Sequence, residues 1–208
     1  MNTPNVIAAN WNWSVPLPPE NPAQRKPKGY QGVFYGRAPH YPMMPVSSGH
    51  LPVLVSAIPQ TLNVAFDLEV TPTGQFNTLF DIDFLPTPSG DNSRQLELMI
   101  ITDIVGSDST RAGQPTVSIG GVEYWVSEGR VVPNPAFPSD PSSWFRGVQF
   151  VSKTRVLKGV IPIRPFVDYM LAQGWLQATD NLVDIDFGIE MNTGSNSATL
   201  RSYSITWK

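Results

Sequence analysis

The sequence predicts an all-β fold, an antiparallel sandwich or jelly roll, and three observations carry that prediction. Hydrophobic residues alternate with polar ones at period two through most of the patterned stretches. Clusters of Gly, Pro, Ser, Asn and Asp separate those stretches at about 8- to 12-residue spacing. Only one segment carries helical periodicity. One domain spanning residues 1–208 is expected, because 208 residues suffice for a sizeable core and 41% hydrophobic residues is ordinary for a globular chain.

Taken in chain order, "ANWNWS" at residues 9–14 sets Trp11 and Trp13 among polar residues, and residues 16–59 then hold many of the 21 prolines. Proline fixes φ and removes a ladder donor, so this stretch and the one at 133–141 are read as loops around strands. "TLNVAFDLEV" buries Leu62, Val64, Phe66, Leu68 and Val70 on one face, and "TPTGQ" turns the chain. "LFDIDF" buries Phe80, Ile82 and Phe84 before the turn "PTPSGDN", and "RQLELMIITD" buries Leu96, Leu98 and Ile100. In "VSIGGVEYWV" the pair Gly120–Gly121 between two alternating runs is a strong hairpin signal. "PFVDYMLAQGW" is the helix: Phe166, Tyr169, Met170 and Trp175 fall at helical spacing, Pro165 suits the first turn and Gly174 the stop. "VDIDFGIEM" buries Val183, Ile185, Phe187, Ile189 and Met191, and "TLRSYSITW" forms a last strand.

Composition excludes several kinds of chemistry. The chain has no cysteine, so thiol nucleophiles, disulfides and Cys-ligated metals are out. Its two histidines, His40 and His50, lie in a Pro/Gly/Ser-rich loop, which argues against a Ser-His-Asp triad or a His-rich metal site. No phosphate-binding glycine loop or dinucleotide fingerprint is present, so neither cofactor nor metal is expected. With a formal net charge of -3 and basic residues clustered only in "QRKPK", nucleic acid and anionic membranes are not expected partners. No signal-type segment or membrane-length apolar run is visible, so a secreted mature form and a cytoplasmic protein both stay open. A monomer is the default expectation. Any catalysis must run on carboxylates, hydroxyls and aromatic rings.

The carboxylates follow strand parity. Asp81 and Asp83, Glu97, and Asp184, Asp186 and Glu190 all fall on the side opposite the buried residues of their strands. A solvent face would explain them, yet Glu97 shares its side with Met99 and Ile101, and Glu190 shares its side with Gly188, whose missing side chain leaves room for something to approach. These residues suit a concave sheet face forming a groove. Two carboxylates across a groove are what glycosidic bond cleavage needs, and Trp and Tyr rings supply apolar faces on which sugars stack. Trp11, Trp13, Tyr35, Trp125 and Trp144 are candidates for that stacking.

At these residues the sequence resembles glycoside hydrolase family 12, retaining endo-β-1,4-glucanases and xyloglucanases built as a β-jelly roll, and most of all its bacterial and archaeal branch. "ELMII" from Glu97 matches the first four positions of the family's nucleophile motif, with Ile101 where the family has Trp. "GIEMNTGSNSATLRSYS" fits the acid/base strand and the strand after it, and "FDI" puts Asp81 at the assisting acid. "GYQGVFYGRAPH", "LPVLVSAI" and "NWNW" resemble further segments. The likeness runs from about residue 29 onward, with a shorter counterpart near residue 10.

The resemblance implies a two-sheet jelly roll with a substrate groove and one short helix. It implies Glu97 as nucleophile, Glu190 as acid/base and Asp81 as a neighbour that tunes Glu97. It implies Trp11, Asn12, Trp13, Tyr35, Met99, Trp125 and Trp144 as substrate contacts, a β-glucan polysaccharide as substrate, and secretion. Retention requires the two catalytic carboxyls roughly 5 to 5.5 Å apart. Two rivals stand beside this reading: a non-catalytic carbohydrate-binding jelly roll, and a structural jelly roll without a ligand.

Overall fold

A computed structural model of the chain describes residues 7–15, 29–37, 49–71, 73–88, 96–106, 111, 113–132 and 145–208. Among these residues the strands are β1 (Ile7–Val15), β2 (Gly29–Gly36), β3 (Val53–Leu54), β4 (Asn63–Val70), β5 (Gln75–Leu85), β6 (Leu96–Val105), β7 (Thr116–Ile119), β8 (Val122–Val132), β9 (Phe145–Ser152), β10 (Lys158–Pro162) and β11 (Asn181–Thr206). One α-helix, α1 (Arg164–Ala172), joins β10 to β11. The all-β jelly-roll class read from alternation holds.

The sheet forms two layers that share a strand. One layer runs β2–β11–β5–β6–β9–β8–β7 and the other β1–β11–β4–β10. Residues 184–191 of β11 pair with β2 and with β5, and residues 198–206 pair with β4 while β1 flanks residues 194–203. This 26-residue strand therefore passes from one layer into the other. Its two halves then lie face to face: the Tyr203 hydroxyl donates to the Ile185 carbonyl at 3.2 Å, and the rings of Phe187 and Tyr203 stack at 6.3 Å.

Alternation explains the core between the layers. Val64, Phe66, Leu68 and Val70 of β4 face Phe80, Ile82 and Phe84 of β5 and Ile185, Phe187 and Ile189 of β11, all buried. Phe66, Phe80 and Phe187 form a triangle with ring centroids 4.6 to 5.2 Å apart. Each such ring buries enough apolar surface to contribute up to about 3 kcal/mol, with edge contacts adding about 1 kcal/mol per pair. Helix α1 buries Phe166, Val167 and Met170 at the other end, where Phe166 sits 5.0 Å from Phe150 and 5.2 Å from Tyr124. The β7–β8 hairpin turns through Gly120 and Gly121 at φ +61° and +82°, the doubly positive geometry of a type I′ turn.

Two features differ from the sequence reading. β6 and β9 run parallel, the one parallel pair among the described residues, because the hairpin β7–β8 intervenes in the chain and returns β9 beside β6. "VDIDFGIEM" and "TLRSYSITW" are halves of one strand. The residues between them, "NTGSNS", have turn chemistry, yet pairing of Gly194 to Ser197 with residues 12–15 of β1 keeps the strand going.

Candidate active site

The acids predicted by parity do share one face, the side of β5, β6 and β11 turned away from the core. The ladder sets them in rows: Asp81 opposite Asp186, Asp83 opposite Asp184 on one side and Glu97 on the other, and Glu190 opposite Asn77. Solvent does not account for them. Asp83 is 1% exposed, Asp184 0%, Asp186 4% and Glu97 5%. Like charges directly across a ladder repel, and burial removes the water that would screen them.

Protonation relieves this repulsion. Burial, followed by the charges of Glu97, Asp186, Glu190 and Asp83, pushes the Asp81 carboxyl well above the usual carboxylate range. Burial, then Asp186 and Asp83, does the same to Asp184, against a smaller opposing pull from the Ile185 amide. One Asp81 oxygen and both Asp184 oxygens are buried without a hydrogen-bond partner of good geometry. Burial and mutual repulsion thus favour the protonated form at these two acids.

The neighbours of these acids come from β2 and β5. Asn77 donates its side-chain N–H to Glu190 at 3.1 Å, fixing that carboxylate from the strand opposite. Tyr30 is opposite Glu190 on β2, but its ring leans back along the sheet and its hydroxyl donates to Asp186. The space it fills lies above the cross-strand pair Gly32–Gly188. A Cβ on Gly188 would stand 2.7 Å from the Tyr30 hydroxyl, and one on Gly32 would stand 2.8 Å from the ring. The gap that the sequence showed at Gly188 is filled by a tyrosine of the protein itself.

Glu97 and Glu190 are on this same face, as expected, but not abreast. Their ladder partners on β5, Asp83 and Asn77, are six residues apart, about 20 Å along a strand. The expected side-by-side approach becomes a diagonal, with Asp81 between the two. Both glutamate charges act on Asp81.

The predicted substrate contacts divide into two groups. Met99 and Trp125 are on the acid face, half-buried around a small apolar cluster of Leu79, Ile101 and Val151. Gln149 donates to the Met99 sulfur at 3.2 Å, and the Lys153 ammonium stands 5.7 Å from the Trp125 ring centre. Ile101 contributes to this cluster from the position where a Trp was expected.

Trp11, Trp13 and Tyr35 are not on that face, which corrects the sequence reading. β1 pairs with the half of β11 in the other layer, so alternation turns Trp11 and Trp13 into the core; Trp13 packs edge-on against Phe76 at 5.9 Å. Tyr35 points to the core side of β2, 6.2 Å from the Trp207 ring. Asn12 points outward and lines, with Trp13, Thr71, Thr73, Ser195 and Ser197, a pocket of about 470 Å³ beyond the acid rows. Trp144 lies outside the described residues.

Sequence reasoning missed Asn77 and Tyr30 as partners of the acids and did not rank Asp83, Asp184 and Asp186 above surface residues. The signal for the aspartates was present in two adjacent strands that each read Asp-Ile-Asp. Among the described residues no group of His, Cys, Asp and Glu side chains is arranged to hold a metal ion, and no helix is long and apolar enough to cross a membrane.

No protein-family model and no curated protein matches this sequence. Solved structures do match. The chain is similar to a family 12 xyloglucanase from Bacillus licheniformis, with TM-score 0.79 and 20% identity over 96% of this chain and 81% of that one. An endoglucanase from Rhodothermus marinus gives 0.70 and 18% over 96% and 82%, and endoglucanase 3 of family 12 from Trichoderma harzianum gives 0.70 and 18% over 100% and 80%. At this identity the likeness establishes the fold: a jelly roll of the kind seen in solved family 12 glycoside hydrolases.

Proposed function

We propose that this chain is a family 12 glycoside hydrolase, an endo-acting enzyme that cleaves internal β-1,4 bonds of a β-glucan with retention. In the roles the resemblance implies, Glu97 attacks the anomeric carbon while Glu190 donates a proton to the leaving oxygen, and Glu190 then takes a proton from water as that water releases the sugar from Glu97; this requires the two carboxyls to close the diagonal between them to roughly 5 to 5.5 Å. Asp81 holds a proton beside Glu97 and keeps the nucleophile ionised by hydrogen bonding. Met99 and Trp125 offer the apolar surface on which sugar rings rest. The chain acts as a secreted monomer on a polymer.

The observation that carries this reading is the common face on which the ladder sets Glu97, Asp81 and Glu190, where burial and the charges of both glutamates push the Asp81 carboxyl well above the usual carboxylate range. The shared fold and the order of the motifs along the chain support it. A non-catalytic carbohydrate-binding jelly roll is the second reading, and the diagonal offset between Glu97 and Glu190 favours it.

Reducing-sugar release from a panel of soluble β-glucans separates the two. Hydrolysis that disappears in Glu97→Gln, with a β-anomeric first product by NMR, is the expected result. An α-anomeric product makes the enzyme inverting. Glucan retention on an affinity gel without hydrolysis establishes the binding module.

A further inference from the structure

Tyr30 reaches an acid from β2, outside the acid-bearing strands, and the fold makes special provision for it. Gly32 and Gly188 are a cross-strand pair, and a side chain at either would collide with the Tyr30 ring. The ring lies in that gap, partly buried, and its hydroxyl meets Asp186 rather than Glu190, the residue directly across the ladder. Asp186 is in turn directly opposite Asp81. A row of neighbours therefore runs from Tyr30 on β2, through Asp186 on β11, to Asp81 on β5, and the charge of Glu97 on β6, diagonal to Asp81 and directly opposite Asp83, acts on that last member. We propose that Tyr30 and Asp186 are positioning residues: Tyr30 holds the Asp186 carboxylate against Asp81, and Asp186 thereby directs the Asp81 proton toward Glu97.

The groups facing Asp81 are Glu97 from β6, Asp186 and Glu190 from β11, and Asp83 on its own strand. Of these, Asp186 accepts from the Tyr30 hydroxyl and Glu190 from the Asn77 amide, and Asp186 is the one directly across the ladder from Asp81. Tyr30 keeps its proton throughout, since burial and then Asp186, Asp81 and Glu190 push its hydroxyl far above the usual phenol range. It acts as a permanent donor. Without that donor Asp186 binds a proton more readily and competes for the one on Asp81. Without the Asp186 charge Asp81 releases its proton sooner and becomes an anion beside Glu97. Either loss makes Glu97 harder to ionise.

This rests on the proposed roles of Glu97 and Asp81, so the test has two readouts on the full chain. The first is the pH profile of kcat/KM on a soluble β-glucan. In Tyr30→Phe and Asp186→Asn the acidic limb moves up by about one pH unit, a roughly tenfold loss on that limb, while KM stays within about twofold of wild type on the plateau. In an Asp81→Asn background neither substitution moves the limb. The second readout is the carboxyl titration of Glu97 by NMR with ¹³C-labelled Asp and Glu, its signal assigned from Glu97→Gln; it moves up in the same two variants. If wild type cleaves no glucan, the proposed function fails while the titration still decides this inference. A limb and a Glu97 titration that stay in place in Tyr30→Phe overturn it, as does an equal loss of kcat at every pH, which marks a structural role only. Should Asp186→Asn not fold, Tyr30→Phe decides alone.

Discussion

Replacing Gly188 by alanine tests the packing under the acid face, and the structure sets the size of the effect. The new methyl would lie 2.3 Å from the Gln31 carbonyl oxygen, 2.6 Å from Tyr30 Cζ and 2.7 Å from its hydroxyl. Real contacts at a Cβ do not fall below 3.0 Å, so the β2 backbone must retreat by at least about 0.7 Å while the tyrosine ring swings off its glycine floor. Overpacking of this kind costs about 1–3 kcal/mol. Gly188 has ordinary strand backbone, so alanine recovers about 0.4–1 kcal/mol by stiffening the unfolded chain. β2 has β11 as its ladder neighbour and no strand on its other side among the described residues, which lets it yield and keeps the cost toward the lower end. The expected net loss is about 0.5–1.5 kcal/mol, a fall in Tm of roughly 1–6 °C for a chain of this size. A thermal melt followed by circular dichroism measures it, and amide exchange should quicken along β2 first. A melting point equal to or above wild type would show that the Gly32–Gly188 gap is not closed by Tyr30 and would remove the basis of the packing argument.

Two further predictions concern the acid rows. Asp81 and Asp184 have carboxyls raised above their unfolded values, so the folded state holds protons that the unfolded chain releases above about pH 4. The stability this contributes is complete below the unfolded value and is lost as pH rises through the folded one, so the protein is more stable at about pH 5 than at about pH 8. Asp184→Asn should flatten that decline, read as the difference in denaturation midpoint between the two pH values; parallel lines for variant and wild type refute it. Trp125→Ala should raise KM for a β-glucan by about tenfold, some 1.4 kcal/mol, with kcat within about twofold, and an unchanged KM removes Trp125 from the substrate surface.

How far the sequence could be read depended on which interactions decide each feature. Val64, Phe66 and Leu68 announce a strand because alternation is local, and the burial of their whole face follows. The same rule placed Glu97, Asp186 and Glu190 on a common side without any knowledge of their neighbours. It could not say which side of β1 or β2 meets the core, since both carry aromatics or glycines; Trp11, Trp13 and Tyr35 went to the wrong face for that reason. Pairing between distant segments settles that question, and pairing is invisible in a window of ten residues. The stretch "NTGSNS" makes the same point from the other direction. Its composition asks for a turn, and hydrogen bonds to β1, some 180 residues earlier, overrule it. The diagonal between Glu97 and Glu190 is likewise a matter of register, which motif order alone does not supply.

One strand's double membership also governs how the molecule comes into being. β11 follows every other strand in the chain, yet it is central to both layers. During synthesis β4 and β5 emerge with no neighbour at the position β11 will occupy, and their apolar faces must wait through the whole of β6 to α1 before that partner arrives. Nearly all of the decisive contacts are distant in sequence, which makes for slow, all-or-none assembly. A nascent chain stalled before Asn181 would present two open edges at once and would need a chaperone's protection, whereas an intact one closes both layers in a single stroke.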